Sequence, residues 1–188
     1  MRSLVALLVF LASSYGVQSQ TIHDFVALDE CKTWSCAVAQ LTDTSTRSNL
    51  TVTIPWRLPL RDSGRISSGY GMREHPILGG SRFHAGLDLA APMATPVYAS
   101  ASGLARAGYD DVLGHHVTVD HLNGFSTTYG HLSALAIAEP AFVTSEDLLG
   151  LVGASGRATG PHVHWTVRYR GAPIDPVALR EAVHEAFY

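Results

Sequence analysis

Charge is scarce in this sequence. Asp, Glu, Lys and Arg make up only 15% of its 188 residues, and the formal net charge is −3. That balance argues against a broad nucleic-acid-binding surface, which needs a clustered positive excess. Cysteine is scarcer still, with Cys31 and Cys36 alone. Two thiolates at this spacing make half of a structural zinc site. Outside the cytoplasm a disulfide is therefore the expected state of the pair. A regular helix through both positions would strain the bridge, so an irregular segment is expected around them. Long apolar runs are also nearly missing, as are repeats, heptads and low-complexity linkers.

The one apolar run is "LVALLVFLA", Leu4 to Ala12. It is too short to span a bilayer, which takes about 20 residues. It follows Met1-Arg2 and precedes small residues, with an acceptable cleavage site at Val17-Gln18-Ser19. This is the layout of an export signal, and the competing reading is a short membrane anchor. No cysteine sits just after the run, so no lipid-attachment site is read there. No later segment is apolar enough to span a membrane. Export, with no membrane span after signal cleavage, is the expectation.

The chain divides into three regions. Residues 1–19 read as the signal. Residues 20–54 read as a leader holding the cysteines and a polar stretch, "TDTSTRSN". Its Asn49-Leu50-Thr51 fits a glycosylation acceptor, which matters only in a eukaryotic secretory route. Residues 55–188 read as one domain of short β-like runs punctuated by Gly and Pro. "HHVTVDHLNGFSTTYGHL" (His115 to Leu132) forms two arms around Asn123-Gly124, a strong hairpin signal. "PHVHWTVRYRG" (Pro161 to Gly171) alternates as a strand does. After it, Asp175-Pro176 can cap and start a helix carrying Val177, Leu179, Ala182, Val183 and Phe187. The pattern predicts a mainly antiparallel β architecture with one short closing helix.

Histidine, by contrast, is abundant at ten residues, which directs attention to metal or acid–base chemistry. His162 and His164 stand at i and i+2 of a predicted strand and so share a face, with Val163 opposite. Alone, this pattern is weak evidence for a metal. Upstream, in "RFHAGLDLAAP", His84 and Asp88 are four apart and share a face of a strand or of a helix. Both are good zinc ligands, and Gly86 between them allows close backbone approach. His131, in "TYGHLS", is suited to acid–base or oxyanion work beside a metal. Bland readings exist for each element alone: a surface histidine, a turn aspartate, a backbone-bonded imidazole. His121 reads as structural, His75 as a surface or groove-wall residue, and His23, His115, His116 and His184 as solvent-facing or locally bonded. Trp165, on the face opposite His164, reads as core.

Taken together, His84/Asp88, His131 and His162/His164 resemble the M23 zinc metallopeptidases, the lysostaphin or LytM-type peptidoglycan endopeptidases. The similarity extends through Ile66 to Gly103, through the hairpin block, and through "VGASGRATGPHVHWTVRYRGAPIDP". It covers roughly Trp56 to Leu179. One departure is visible: Gly114-His115 stands where the family often has Gly-Asn, outside the catalytic set.

The resemblance implies the LytM/lysostaphin-type fold. It implies one Zn²⁺ per chain, held by His84, Asp88 and His164, with His131 and His162 catalytic. Three protein ligands leave a fourth position for water, as a hydrolytic zinc requires. His162 is expected to be the base and His131 the transition-state stabiliser, although the roles can be exchanged. The implied substrate is the peptide of bacterial peptidoglycan. A D,D-endopeptidase is favoured over a glycyl-glycine endopeptidase, because a cleavable signal, an expected disulfide and no wall-binding module fit a Gram-negative periplasm, with secretion as the other location. The alternative class is a non-catalytic activator of other wall hydrolases, but such proteins typically lack the metal ligands, and here all are present. A leader that blocks the site through Asp43, Asn49 or His23 is a third possibility.

Overall fold

In the computed structural model the described residues are 31–41, 54–61, 64–74, 80–138 and 140–187. The expected signal, the glycosylation acceptor, His23, Asp43, Asn49 and His75 lie outside them. Among the described residues thirteen strands follow in chain order: β1 Arg65–Ser68, β2 Gly71–Glu74, β3 Ser81–His84, β4 Leu87–Ala90, β5 Pro96–Tyr98, β6 Gly103–Asp110, β7 Gly114–Asp120 and β8 Phe125–Leu132. The rest are β9 Ala134–Leu135, β10 Ala141–Val143, β11 Leu148–Leu151, β12 His162–Tyr169 and β13 Ala172–Ile174. Helix α1 spans Trp34–Leu41 and helix α2 spans Pro176–Phe187.

The main sheet runs β1-β4-β12-β8-β7-β6-β10, with β13 also paired to β12. All its pairings are antiparallel. Small sheets of β5-β11-β9 and β2-β3 flank it. The mainly antiparallel fold with a closing helix is the one the sequence pattern predicts.

Alternation decides which face is core. Leu87 and Leu89 of β4, Val163, Trp165 and Val167 of β12, Tyr129 of β8, and Val117 and Val119 of β7 are all buried. Trp165 is a core residue, as expected. The residues between them, Asp88, His162, His164, Thr128 and Thr118, therefore point to the opposite face. The β7–β8 connection is the predicted hairpin. Asn123 Oδ1 accepts from Phe125 N, and Gly124 takes φ +87°, a conformation that costs glycine little.

His121 is structural, as expected. It is buried, and its ring bridges the Ser102 carbonyl and the Thr127 hydroxyl. Asp175 Oδ1 accepts from Val177 N and caps α2, which buries Leu179 and Val183. The side chain of Phe187 lies outside the described residues.

Cys31 and Cys36 are bridged, with Cα atoms 5.5 Å apart. The segment is not irregular throughout, however. Cys36 lies inside α1, whose first turn is capped by Thr33 Oγ1 accepting from Cys36 N. Cys31 precedes the helix, and that is how a five-residue separation is spanned without bending it. Cys31, Ala37 and Val38 belong to the same core cluster as Leu179 and Val183. Tyr169 OH donates to the Cys31 carbonyl at 2.7 Å. This part of the leader therefore packs at the Tyr169 end of β12. His162, at the other end, is about 23 Å away along an extended strand.

Burial lowers the pKa of His121 to about 4, against partial opposition from the Ser102 carbonyl and Asp120. The unfolded chain binds the extra proton between about pH 6.5 and 4, so folding stability is complete above this window and falls through it on acidification. The loss attributable to this ring is roughly 3 kcal/mol. Denaturant titrations from pH 7 to 4 are expected to show a shallower decline for His121→Asn than for the natural chain. Equal slopes would contradict the assignment.

Candidate metal and catalytic centre

The register of the sheet assembles the centre. In the β4–β12 pairing, Asp88 lies directly opposite His164, and Ala90 opposite His162. In the β12–β8 pairing, His164 lies opposite Gly130. Asp88, His164 and Gly130 thus form a row across three strands. His162 is two residues along on the same face, as alternation requires.

His84 arrives differently from expectation. It and Asp88 do not share one strand or helix. His84 ends β3, Asp88 sits within β4, and the chain turns at Ala85-Gly86 between them. Gly86 is needed for this approach. A Cβ there would lie 2.7 Å from the Trp165 carbonyl oxygen and 2.8 Å from both His164 Cε1 and Thr166 Oγ1.

Three donor atoms converge. His84 Nε2 is 3.1 Å from His164 Nδ1 and 3.2 Å from Asp88 Oδ1, and His164 Nδ1 is 2.8 Å from Asp88 Oδ1. A tetrahedral zinc with ligands near 2.0–2.1 Å spaces its donors about 3.3 Å apart, so this triangle is close to one face of that tetrahedron. The neighbours orient the donors. His84 Nδ1–H donates to the Gly69 carbonyl at 2.6 Å, which turns Nε2 inward. His164 Nε2 is 2.9 Å from Thr166 Oγ1, which leaves Nδ1 to the cluster. Arg73 Nη2 holds Asp88 Oδ2 at 3.2 Å, which leaves Oδ1 inward. Two imidazole nitrogens and a carboxylate oxygen at this spacing could hold a metal ion. Burial opposes ionisation of Asp88. Hydrogen bonds and charge attraction from His164 and His84 outweigh it and hold the carboxyl far below the usual carboxylate range.

His131 joins the cluster through a backbone irregularity. Strand alternation after Tyr129 would send it into the core. Instead it takes φ +64°, and its ring lies 4.6 Å from that of His162 and 6.0 Å from that of His164, centre to centre. Its Nδ1–H donates to the Ser155 carbonyl at 2.8 Å. His162 Nδ1–H donates to the Gly160 carbonyl at 2.8 Å, and its Nε2 lies 3.9 Å from Asp88 Oδ1. Both rings therefore offer Nε2 to the cleft. Burial lowers the proton affinity of His131, with the Ser155 carbonyl partly opposing.

The cleft, of about 170 Å³, is lined by Arg73, Val112, Leu113, Arg157, Ala158 and Thr159 around the four histidines and Asp88. A larger hollow of about 490 Å³, bordered by Leu104, Arg106, Thr118 and Asp120, holds no comparable ligand set. The candidate centre lies in the smaller space. Sequence reasoning missed Arg73, Thr166 and Ser155. Only Thr166 left a signal, by sharing the alternation of His164. His115 is exposed and lies against Tyr109 with the ring planes tilted by 60°, and His116 bonds the Gly114 carbonyl; neither is among the three converging donors.

The model of peptidase family M23 matches residues 82–176. The chain belongs to that family, whose members are zinc metallopeptidases. The DD-carboxypeptidase/endopeptidase Mpg of Neisseria meningitidis serogroup B is 46% identical over 120 residues, which are 61% of this chain and 27% of that protein. The chain thus spans about a quarter of the length of this curated relative. A zinc-containing peptidase from Vibrio cholerae superposes with TM-score 0.59 at 31% identity, over 63% of this chain and 38% of that one. The catalytic domain of lysostaphin from Staphylococcus simulans superposes with TM-score 0.57 at 26% identity, over 63% and 92% respectively. The fold is of the lysostaphin type.

Gly86→Ala should push β12 away from the β3–β4 turn and open the donor triangle. The variant is expected to hold well under one zinc per folded chain by elemental analysis. Full zinc content in a folded variant would show that the close approach does not matter.

Proposed function

We propose that this chain is an exported zinc metalloendopeptidase that hydrolyses peptide cross-links of bacterial peptidoglycan. The single observation that carries this reading is the three-donor cluster with two further imidazoles offering Nε2 to the same cleft. His84 Nε2, Asp88 Oδ1 and His164 Nδ1 would hold one Zn²⁺ per chain. Zinc, when bound there, supplies Lewis acidity that polarises a carbonyl and makes water a usable nucleophile at neutral pH.

His162 Nε2 is the base. It stands nearest the ligand triangle, and its Nδ1 is anchored, so its lone pair is aimed. It takes the proton of the attacking water. The water oxygen forms the new C–O bond, the amide C–N bond breaks, and the proton passes to the departing nitrogen. His131 faces the developing oxyanion. Because its Nδ1–H is committed to Ser155, it must first take a proton at Nε2 to donate there, and burial opposes that form, so its role can be exchanged with that of His162.

A D,D-endopeptidase reading is favoured over a glycyl-glycine one. The relative named a DD-carboxypeptidase/endopeptidase supports it. Residues 1–19 as the export signal, 55–188 as the peptidase unit and a periplasmic location complete the proposal. Among the described residues no helix is long and apolar enough to cross a membrane.

Two measurements check this. His162→Ala is expected to keep zinc and lose turnover by about a hundredfold or more, whereas His164→Ala loses the zinc itself. Near-normal hydrolysis by His162→Ala would remove it from the mechanism. Digestion of purified walls of both chemotypes, read by mass spectrometry, should release diaminopimelate amines and leave glycine bridges intact. Release of glycine amines alone would reverse the substrate preference.

A further inference from the structure

Arg157 lines the cleft beside His131 and His162. It is exposed, and among the described residues its side chain forms no ion pair. Arg73, by contrast, is spent on Asp88. A guanidinium at the edge of a hydrolytic cleft is a fork shaped for a carboxylate.

The segment that carries it is fixed. Arg157 N donates to the Val112 carbonyl at 2.9 Å. Ser155 Oγ donates to the Leu132 carbonyl at 2.7 Å and accepts from His115 N at 3.0 Å. The Ser155 carbonyl is the group that orients His131. Gly114 and Gly156 let these backbones touch, since a Cβ on either would collide with the other segment, and Gly156 takes φ +68°. The same short stretch that aims His131 therefore presents Arg157 two residues later. The backbone of Arg157 is thereby fixed relative to His131, and its side chain starts from the rim of the cleft.

We infer that Arg157 binds the free α-carboxylate on the amine side of the scissile bond. This rests on the hydrolase reading above and narrows its substrate. When a D-alanyl–diaminopimelate cross-link is cut, the departing amine belongs to an amino-acid centre whose own carboxylate is free. When a terminal D-alanyl–D-alanine bond is cut, the departing D-alanine carries the same group in the same place. In a glycyl-glycine bridge that carboxyl is already consumed in the next amide. One carboxylate subsite thus serves both D,D bonds and favours them over the bridge, which cannot make the contact.

The test uses the full zinc-loaded chain, Arg157→Gln and Arg157→Lys. Binding of the product tripeptide L-alanyl-γ-D-glutamyl-diaminopimelate is measured by calorimetry, with its D-centre carboxylate free or amidated. Hydrolysis of the matching cross-linked muropeptide dimers is measured alongside, with zinc content as a control. The natural chain is expected to prefer acid over amide by about ten- to a hundredfold in both binding and kcat/KM. Arg157→Gln should erase that preference with zinc unchanged, and Arg157→Lys should recover part of it. Equal binding of acid and amide by the natural chain overturns the inference, as does an equal loss on both ligands in Arg157→Gln. If neither dimer is cleaved but the acid preference persists and depends on Arg157, the carboxylate site stands and the hydrolase reading falls.

Discussion

The structure depends on one alignment, the pairing of Asp88 on β4 with His164 on β12. A slip of one residue would turn every side chain of β12 to the other face, placing Val163 and Trp165 in the cleft and both histidines in the core. The apolar partners prevent it. Leu89 opposite Val163 and Leu87 opposite Trp165 are fully buried on the reverse face. Moving Trp165 from the core to solvent would forfeit several kcal/mol of burial. The centre is thus held by packing it does not touch. The backbone contact allowed by Gly86 brings β3 and its His84 to the same spot.

Every histidine at the centre has one nitrogen assigned by a fixed partner: the carbonyls of Gly69, Gly160 and Ser155, or the hydroxyl of Thr166. This division decides which atom each ring contributes. Position then separates them: the free nitrogens of His84 and His164 lie with Asp88 in one cluster that could hold a metal ion, and His131 and His162 stand beside it. Asp88 is shared similarly, one oxygen to the cluster and one to Arg73. The carboxylate is the centre's one negative charge, and its partners stabilise it against the cost of burial.

Much of this was legible in sequence for simple reasons. A period of two placed His162 and His164 on one face and Trp165 on the other. Asn123-Gly124 announced the hairpin, and Asp175-Pro176 the closing helix. What stayed hidden required information beyond local spacing. The four-residue gap between His84 and Asp88 looked like one element, but the chain turns at Ala85-Gly86 and they lie on two. His131 breaks its strand's alternation through a positive φ that no residue-type preference announces. Arg73 reaches Asp88 from a separate hairpin, and Arg157 becomes part of the cleft only because two glycine backbones meet. The cysteine bridge was foreseen, but its seat at the start of a helix was not.

The central claim is that the three-donor cluster holds a zinc ion that hydrolysis requires. The most direct measurement is zinc per chain by elemental analysis, made on the same preparation as a wall-hydrolysis assay, before and after chelation. One zinc per chain is predicted, with hydrolysis lost on its removal and restored on its return. Undiminished wall hydrolysis by the metal-free protein would contradict the account.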